Sequence, residues 1–419
     1  MRRPSAYRTW MAYQAAESFA TRLTWTIAPI YFVLDVGMSP LELVLAGTAF
    51  EAAYFLFEVP TGVVADTYSR RLSVIVAQLV VGAGFIATAA MDSIGVILLA
   101  QALIGFGWTF KSGAIDAWLA DEIGQERLGG AYQRGAQAAR IAGLVAIGAA
   151  VGLAVVDLRL PIVLGGVALL ALGAFLAIAM PETNFRPARR QDVTTARSML
   201  GTTRHGTRLI RGNSVLLLIV AITFLRGVSD EGFDRLWEAH LLVDVGVPDF
   251  AGLNPVLWFG VINAAAVLLA IVVAQPLAGR FERLGMVGMA RLLLGLELAL
   301  IGAMLVFALA GGFAVAVAAF WAVRVAYSLE GPVFMTWLNG NITESRARAT
   351  VISMTNVGHS VGESGGGPMV GLVGNLFGIR AALATGALVL MSAVPLYARA
   401  IRHHGREPEL GNVLPAPVD

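Results

Sequence analysis

The chain contains 419 residues, of which 57% are hydrophobic and only 14% are charged, and its formal net charge is +2. A soluble domain usually carries about 25% charged residues, so this composition excludes an ordinary water-soluble protein and is typical of one whose surface faces lipid. The absence of cysteine excludes disulfides, thiolate catalysis and cysteine-based metal sites.

Hydrophobic stretches long enough to cross a bilayer as α-helices, about 20 residues each, recur along the chain. The first six are predicted at residues 9–34, 42–65, 72–91, 95–119, 132–156 and 161–180. Six more are predicted at residues 214–243, 254–279, 286–309, 312–338, 349–373 and 379–400. The predicted domains are an N-terminal six-helix bundle (1–180), a basic cytoplasmic linker (181–213), a C-terminal six-helix bundle (214–401) and a cytoplasmic tail (402–419).

The arginines predict the orientation of these helices. An even number of spans places both termini on one side, and nearly all arginines of the connecting segments then fall on that side. Only Arg159 and Arg380 fall in loops on the other side. Because positive residues concentrate in cytoplasmic loops, we predict a multi-pass protein of a bacterial inner membrane with both termini cytoplasmic.

The longest polar segment, residues 181–213, is rich in arginine. Its arginines are Arg186, Arg189, Arg190, Arg197, Arg204, Arg208 and Arg211. Such a segment could attract anionic lipid headgroups, but we favour a solvated linker that fixes the topology.

The two halves resemble one another in sequence. Residues 33–38 (VLDVGM) close the first span, residues 242–247 (LVDVGV) close the seventh, and Arg22 and Arg226 lie at corresponding positions. Two further matches, at the ends of the second and eighth spans, are Pro60 with Pro276 and Asp66 with Glu282. The repeat predicts an all-α membrane protein whose twelve transmembrane helices form two pseudo-symmetric six-helix bundles, with a substrate site between them.

A short motif connects the second and third spans. Gly62, Asp66, Arg70 and Arg71 follow the pattern Gly-x-x-x-Asp-x-x-x-Arg-Arg, after the lead-in sequence FEVPT at residues 57–61. In this position the motif resembles the signature loop of the major facilitator superfamily, and the lead-in is similar to bacterial, drug-efflux-like members. The resemblance implies a transporter that works by alternating access.

The resemblance also implies a role for Asp66. In the family fold this carboxylate would face the start of the eleventh span, near residues 348–350, where a helix N-terminus favours negative charge. The contact would latch the two halves together on the cytoplasmic side. The alternative is that Arg70 and Arg71 only set the topology.

Other segments depart from the drug–proton antiporters of the family. Gln101 stands where many members carry an arginine, four residues before Gly105-Phe106-Gly107. The predicted fifth span contains no proline, whereas a Gly-Gly-Pro sequence at 366–368 lies in the eleventh span.

Ionisable residues inside spans are costly in lipid, so they should face protein or a wet cavity. They concentrate in the first, fourth, seventh and tenth spans, the four helices that line the central cavity in the family fold. The predicted cavity residues are Glu17, Arg22, Trp25, Trp108, Lys111, Arg226, Asp234, Trp321, Arg324 and Glu330. For the tryptophans, anchoring at the membrane interface is the alternative.

Helical spacing identifies candidates for proton coupling: Asp230, Asp116, Glu363 and His359. His359 and Glu363 are four residues apart and could share a proton. Arg226, Asp230 and Asp234 also follow this spacing, and a purely structural ladder of ion pairs is the alternative reading.

These features predict a secondary transporter that exports small organic or drug-like compounds in exchange for protons; the alternative is a proton-coupled uptake symporter for a small charged metabolite. The expected partners are a small-molecule substrate, protons and membrane lipids, with no nucleic acid, and we expect a monomer. No cofactor is expected. The sequence lacks an ATP-binding Gly-x-x-x-x-Gly-Lys-Ser/Thr loop, so the energy for transport would come from an ion gradient. A membrane-bound enzyme is disfavoured because no clustered catalytic residues are visible, and a sensor because no soluble domain is appended.

Overall fold

The computed structural model describes residues 5–187, 207, 210–249, 255–274, 284–342 and 348–404. The helices of the first half, which we call the N-half, are α1 (Ala6–Trp25), α2 (Ala28–Leu34), α3 (Pro40–Thr67), α4 (Arg70–Ala90), α5 (Ile94–Lys111), α6 (Ala114–Ile123), α7 (Gln125–Ala154) and α8 (Arg159–Ala179).

The helices of the second half, the C-half, are α9 (Ser214–Ala239), α10 (Val256–Ala274), α11 (Met286–Leu309), α12 (Phe313–Gly340), α13 (Arg348–Phe377), α14 (Ile379–Met391) and α15 (Val394–His404). A π-helical turn, His240–Val245, continues α9. Most of the predicted linker and tail lie outside the described residues, as do Pro276 and Glu282.

Twelve spans account for these helices, as predicted. By length and composition alone, nine spans of the described chain are apolar enough to cross a membrane. The other three are α1 with α2, α9, and α13, which pack among the nine and carry intramembrane charges such as Glu17, Asp230 and Glu363. Their low hydropathy follows from the polar residues that they contribute to the interior.

Several predicted spans are interrupted where the sequence weakens the helix. The first span turns at Thr26 and Ile27, between α1 and α2. The fourth breaks before Gly113, whose φ of 69° lies in the left-handed region that glycine adopts without strain.

At the start of α3, the Ser39 hydroxyl and the Glu42 carboxylate form a capping box that fixes where the helix begins.

The sequence repeat has a structural counterpart. Gly37 and Gly246, the fifth residues of the two matching hexapeptides, both end a helical segment with positive φ, 69° and 78°. Only glycine takes this conformation at little cost, so the repeated Asp-Val-Gly sequence produces the same chain reversal twice.

Glycine allows the closest helix contacts. A Cβ placed at Gly227 of α9 would lie 2.1 Å from the backbone oxygen of His359 on α13, and one at Gly362 would lie 2.2 Å from the backbone oxygen of Phe224. These two helices therefore approach through small residues, as is typical of membrane helix pairs.

The two halves contact each other at one end of the molecule. Ala6 and His404 lie at the other end, which we call the termini end. The end at which the halves touch is called the opposite end. Here α3 packs on α13: the Leu41 N–H donates to Asn375 Oδ1 at 2.9 Å, and Gly374 faces Pro40. Beside it, Gly260 of α10 faces Val151 of α7.

At the termini end the same helices are separated. Residues 55–60 of α3 are all exposed, although they continue the helix whose first residues are packed against α13. Among the described residues, nothing lies within 4 Å of a Cβ placed at Gly62. In the part of the chain that the structure describes, the space between the halves is therefore open at the termini end and closed at the opposite end.

Candidate functional site

A buried arginine on α9 is the centre of a cluster of carboxylates. Arg226 is 6% exposed. Its Nη1 atom lies 2.7 Å from Glu330 Oε1 and 3.3 Å from Glu297 Oε2, and its Nε atom lies 3.7 Å from Asp230 Oδ2. One guanidinium therefore contacts three carboxylates, contributed by α9, α11 and α12.

The cluster continues to α13 through histidine. The Tyr327 hydroxyl donates to Asp230 Oδ1 at 2.7 Å. His359 Nε2 lies 3.2 Å from Asp230 Oδ2, and its Nδ1 atom lies 3.4 Å from Glu363 Oε2. We call the set Arg226, Asp230, Glu297, Glu330, His359 and Glu363 the carboxylate cluster.

The carboxylate cluster carries more acids than bases. Four carboxyl groups face one arginine and one histidine, so even with His359 charged the fully ionised cluster would carry a net charge of −2. Uncompensated charge in a buried site is expensive, and carboxylates relieve it by binding protons. Glu297 is 1% exposed, and its Oε1 atom has no hydrogen-bond partner in the described chain.

A second set of charges lies one to two turns further along α9. Asp234 pairs with Arg324 of α12 at 2.8 Å, and the Arg324 guanidinium lies 5.0 Å from the centre of the Phe320 ring. Glu231 pairs with Arg235 on the same helix at 3.0 Å. The predicted ladder on α9 thus divides: Asp230 belongs to the carboxylate cluster, whereas Asp234 bonds to another helix.

The N-half contributes a separate ion pair. Lys111 of α5 is buried and bonds to Glu17 of α1. Its Nζ atom also lies 3.3 Å from the centre of the Trp108 ring, a cation–π contact. Asp116, five residues further, is exposed and lies in the first turn of α6. The structure therefore does not bring Asp116 together with Lys111 or with the carboxylate cluster.

Two cavities lie between the halves beside these charges. One, of about 190 Å³, is lined by Trp25, Phe50, Trp108 and Arg235. The other, of about 320 Å³, is lined by Arg22 among others. Trp321 is absent from the lining of both; its indole N–H donates to the Ile262 backbone oxygen at 3.0 Å and ties α12 to α10.

The signature loop is held within the N-half. Arg70 bonds to Asp121 of α6 and to the backbone oxygen of Ala117. Glu182, just beyond α8, accepts the Ser69 hydroxyl at 2.6 Å and the Arg71 backbone N–H at 2.9 Å. These bonds join the loop between α3 and α4 to both α6 and the end of α8.

As far as the start of α13 is described, the expected contact of Asp66 with it is not made in this conformation. Asp66 lies 3.6 Å from Arg70, and its side chain is 59% exposed. Arg348, at the start of α13, is exposed as well. The physical reason is the separation of the two halves at the termini end, which leaves the two helix ends apart.

Glu297 of the carboxylate cluster and Tyr327, which bonds to Asp230 of that cluster, were not found by sequence reasoning. Glu297 is the sole acidic residue of the hydrophobic stretch 286–309, and that isolation is a signal that could have identified it. Tyr327 gave no such signal, because tyrosine is common in membrane helices and only the packing shows its bond to Asp230.

Comparison with known proteins agrees with this architecture. Residues 11–229, just over half of the chain, match the family model of the Major Facilitator Superfamily. The chain belongs to the major facilitator superfamily. A curated relative, an uncharacterized MFS-type transporter YxaM of Bacillus subtilis (strain 168), is 23% identical over 379 residues, which cover 88% of this chain and 89% of the relative.

Solved structures share the fold at low sequence identity. The nucleoside transporter NupG superposes with a TM-score of 0.75 at 14% identity, covering 97% of this chain and all of that one. A bacterial homologue of the human lysosomal transporter Spinster, in an inward-facing and unoccupied conformation, gives 0.70 at 13% identity over 95% and 96%. A POT family transporter in complex with a thioalcohol-conjugated peptide gives 0.71 at 11% identity over 95% and 96%.

Family membership makes the chain a multi-pass membrane transporter of small molecules.

Proposed function

We propose that the protein exports small organic compounds in exchange for protons, by alternating access between the two six-helix bundles. The observation that carries this proposal is the acid excess of the carboxylate cluster. A buried site that must hold protons to limit its charge is coupled to pH, and its proton content differs between states that solvate it differently.

Within the cluster, we assign the coupled proton to Glu297. Asp230, the first candidate from the sequence, already contacts Arg226, Tyr327 and His359 and is well supported as an anion. Glu297 is more deeply buried and has one oxygen without a partner in the described chain. A carboxyl group in that environment is more stable when it carries a proton. His359 and Glu363 then provide the route by which a proton moves towards the cavity.

The contacts between the halves suggest how the two states of the alternating-access cycle differ. The opposite end is closed by contacts of α3 with α13 and of α7 with α10, and the cavity opens towards the termini end. We propose that the termini are cytoplasmic, so that this conformation faces inwards. In the outward-facing conformation the termini ends would close, and Asp66 would then reach the start of α13 and latch the halves.

The proposed substrates are planar or amphipathic organic molecules. Aromatic side chains line the smaller cavity, and Arg235 gives it one polar wall. Ligand sites of this kind combine apolar walls with a few charged groups that orient the ligand. We further propose that the protein works as a monomer in a bacterial inner membrane.

Flux measurements in vesicles test the proposal. In everted membrane vesicles that are acidic inside, the pH gradient should drive accumulation of a substrate found in a resistance screen. A protonophore should abolish this accumulation. Glu297→Gln should abolish accumulation yet retain exchange of labelled for unlabelled substrate, because the neutral amide mimics the protonated acid. Arg291→Gln, an exposed arginine on the same helix, should behave as wild type. Accumulation by Glu297→Gln equal to that of wild type would refute the assignment.

Uptake is the second candidate, and one observation favours it. Arg22 and Arg140 line the larger cavity and form no ion pair with a described carboxylate. Such a pair suits a small charged metabolite better than an uncharged drug. Proton-driven accumulation in right-side-out vesicles, and its absence in everted ones, would establish uptake in place of export.

A further inference from the structure

The larger cavity differs from the carboxylate cluster in its charge. Its volume is about 320 Å³, and it lies between α1 and α7 of the N-half and α10 of the C-half. The walls include Arg22 of α1, Arg140 of α7 and Val267 of α10. We call it the arginine cavity. Its volume lies at the lower end of the roughly 300–1,000 Å³ range of small-molecule sites.

Neither arginine of the cavity is neutralised in the part of the chain that the structure describes. The nearby intramembrane acids are already used: Glu17 bonds to Lys111, and Asp234 bonds to Arg324. Arg22 and Arg140 are both exposed to the cavity space.

Two unpaired guanidinium groups this deep in a membrane protein need a reason. Arg22 lies near the middle of the predicted span 9–34, and Arg140 lies about two turns into the predicted span 132–156. An unpaired charge at such depth costs at least about 2.5–3.5 kcal/mol on insertion scales. A purely structural role would supply a carboxylate partner, as Arg226, Arg235 and Arg324 of α9 and α12 have.

Small residues in the cavity lining leave room for a ligand. Ala136, Ala139 and Gly143 of α7 face the cavity and present little or no side chain. Ser18 lies there too, with its hydroxyl donating to the Ala139 backbone oxygen at 2.7 Å. Leu144 adds an apolar wall. The lining of the site therefore combines two guanidinium groups with small and apolar side chains.

We infer that the arginine cavity binds the anionic group of an amphipathic organic solute, which the two guanidinium groups grip while its apolar body lies against α7 and α10. Guanidinium is the group best suited to carboxylates, sulfonates and phosphates, because its N–H groups bond to them in pairs. The inference rests on the proposed function only in taking this ligand as the transported solute.

A membrane lipid is the other source of the same chemistry. Lipid phosphates lie at the membrane surface, whereas Arg22 lies near the middle of its predicted span, so a free solute fits the depth of the site better. The contact of the cavity with α10 of the other half also means that a bound solute would sense the relative position of the halves.

Binding to purified protein tests the inference without any gradient. The probes are 2-naphthoate, 2-naphthalenesulfonate and 2-naphthyl phosphate, with neutral 2-naphthamide as the matched control, in an uncharged detergent. We expect thermal stabilisation of the wild type by at least one anion at ~1 mM and none by the amide. Arg22→Gln and Arg140→Gln should each weaken binding of that anion by about 10-fold or more. Arg291→Gln should bind it as wild type does.

The outcomes distinguish failure of the inferred anion site from failure of the proposed function. Absence of stabilisation by all three anions, or unchanged binding in both cavity variants, would overturn the inference. Stabilisation by anionic phosphatidylglycerol that depends on the same two arginines, with no effect of the naphthyl anions, would make the site a lipid site and would also overturn it. Arginine-dependent binding without proton-driven flux would support the anion site and refute the proposed function. Proton-driven flux with arginine-independent binding would support the proposed function and refute the anion site.

Discussion

Replacing Arg226 with glutamine tests the charge balance of the carboxylate cluster. The guanidinium contacts Glu330 at 2.7 Å, Glu297 at 3.3 Å and Asp230 at 3.7 Å. Removing one partner of a buried ion pair costs about 3–5 kcal/mol, because the remaining charge stays uncompensated. Arg226→Gln removes the one arginine that these carboxylates share, so we expect a loss of about 3–5 kcal/mol in the free energy of unfolding at about pH 8.

The loss should depend on pH in a defined direction. Lowering the pH from about 8 to about 6 lets the uncompensated carboxylates bind protons, so the difference between Arg226→Gln and wild type should shrink. Adding Glu297→Gln to Arg226→Gln should restore part of the stability, by roughly 0.5–3 kcal/mol, because the two sites are in contact.

Denaturant titration of the purified protein in detergent measures these differences. Arg291→Gln is the matched control, and it should stay within about 0.5 kcal/mol of wild type because this arginine is exposed. A loss below about 1 kcal/mol for Arg226→Gln, or a loss that grows as the pH falls, would refute the charge argument.

Three further predictions concern packing and conformational change. Gly227→Ala should destabilise the protein by about 1–3 kcal/mol, because its Cβ would lie 2.1 Å from a backbone oxygen of α13. The control Gly365→Ala should not destabilise it, because the space beside Gly365 is open. Equal effects of the two substitutions in denaturant titration would contradict this account of the packing. Gly47→Leu should separate the two halves at the opposite end, because even a Cβ at this position would lie 1.8 Å from Glu231 Oε1. The opposite end should then become accessible to water-soluble reagents, and unchanged accessibility would contradict the prediction. Asp66→Asn should lower flux about 10-fold, the effect of losing about 1.4 kcal/mol of latch energy, with normal membrane insertion, whereas wild-type flux would exclude the latch.

The sequence was sufficient for the architecture because the bilayer imposes a length and a composition on each span. Even the three spans with low hydropathy could be placed, since an even number of spans is needed to keep nearly all loop arginines on one side. The Asp-Val-Gly repeat at 35–37 and 244–246 marked the same turn in both halves. Breaks such as the one before Gly113 were not predicted, because an apolar stretch does not show where its helix turns.

The candidate site was predictable in part. Charge within spans located Arg226, Asp230 and Lys111, but partners on other helices depend on packing angles that periodicity does not contain. The bond of Lys111 to Glu17 and the position of Glu297 beside Arg226 are tertiary facts of this kind. The state of the transporter also lies beyond the sequence, since both conformations of an alternating-access protein are built from the same residues.

Accessibility of two neighbouring residues on α7 tests most directly whether the intramembrane charges line a wet pathway between the halves. The natural chain has no cysteine, so Leu144→Cys and Val145→Cys can each be introduced alone. Leu144 lines the arginine cavity, whereas Val145 is exposed but is not part of its lining. We predict that a membrane-impermeant thiol reagent applied at the termini end labels position 144 and not position 145, although both lie at the same depth. Equal protection of both positions, with labelling only by lipid-soluble maleimides, would contradict the pathway.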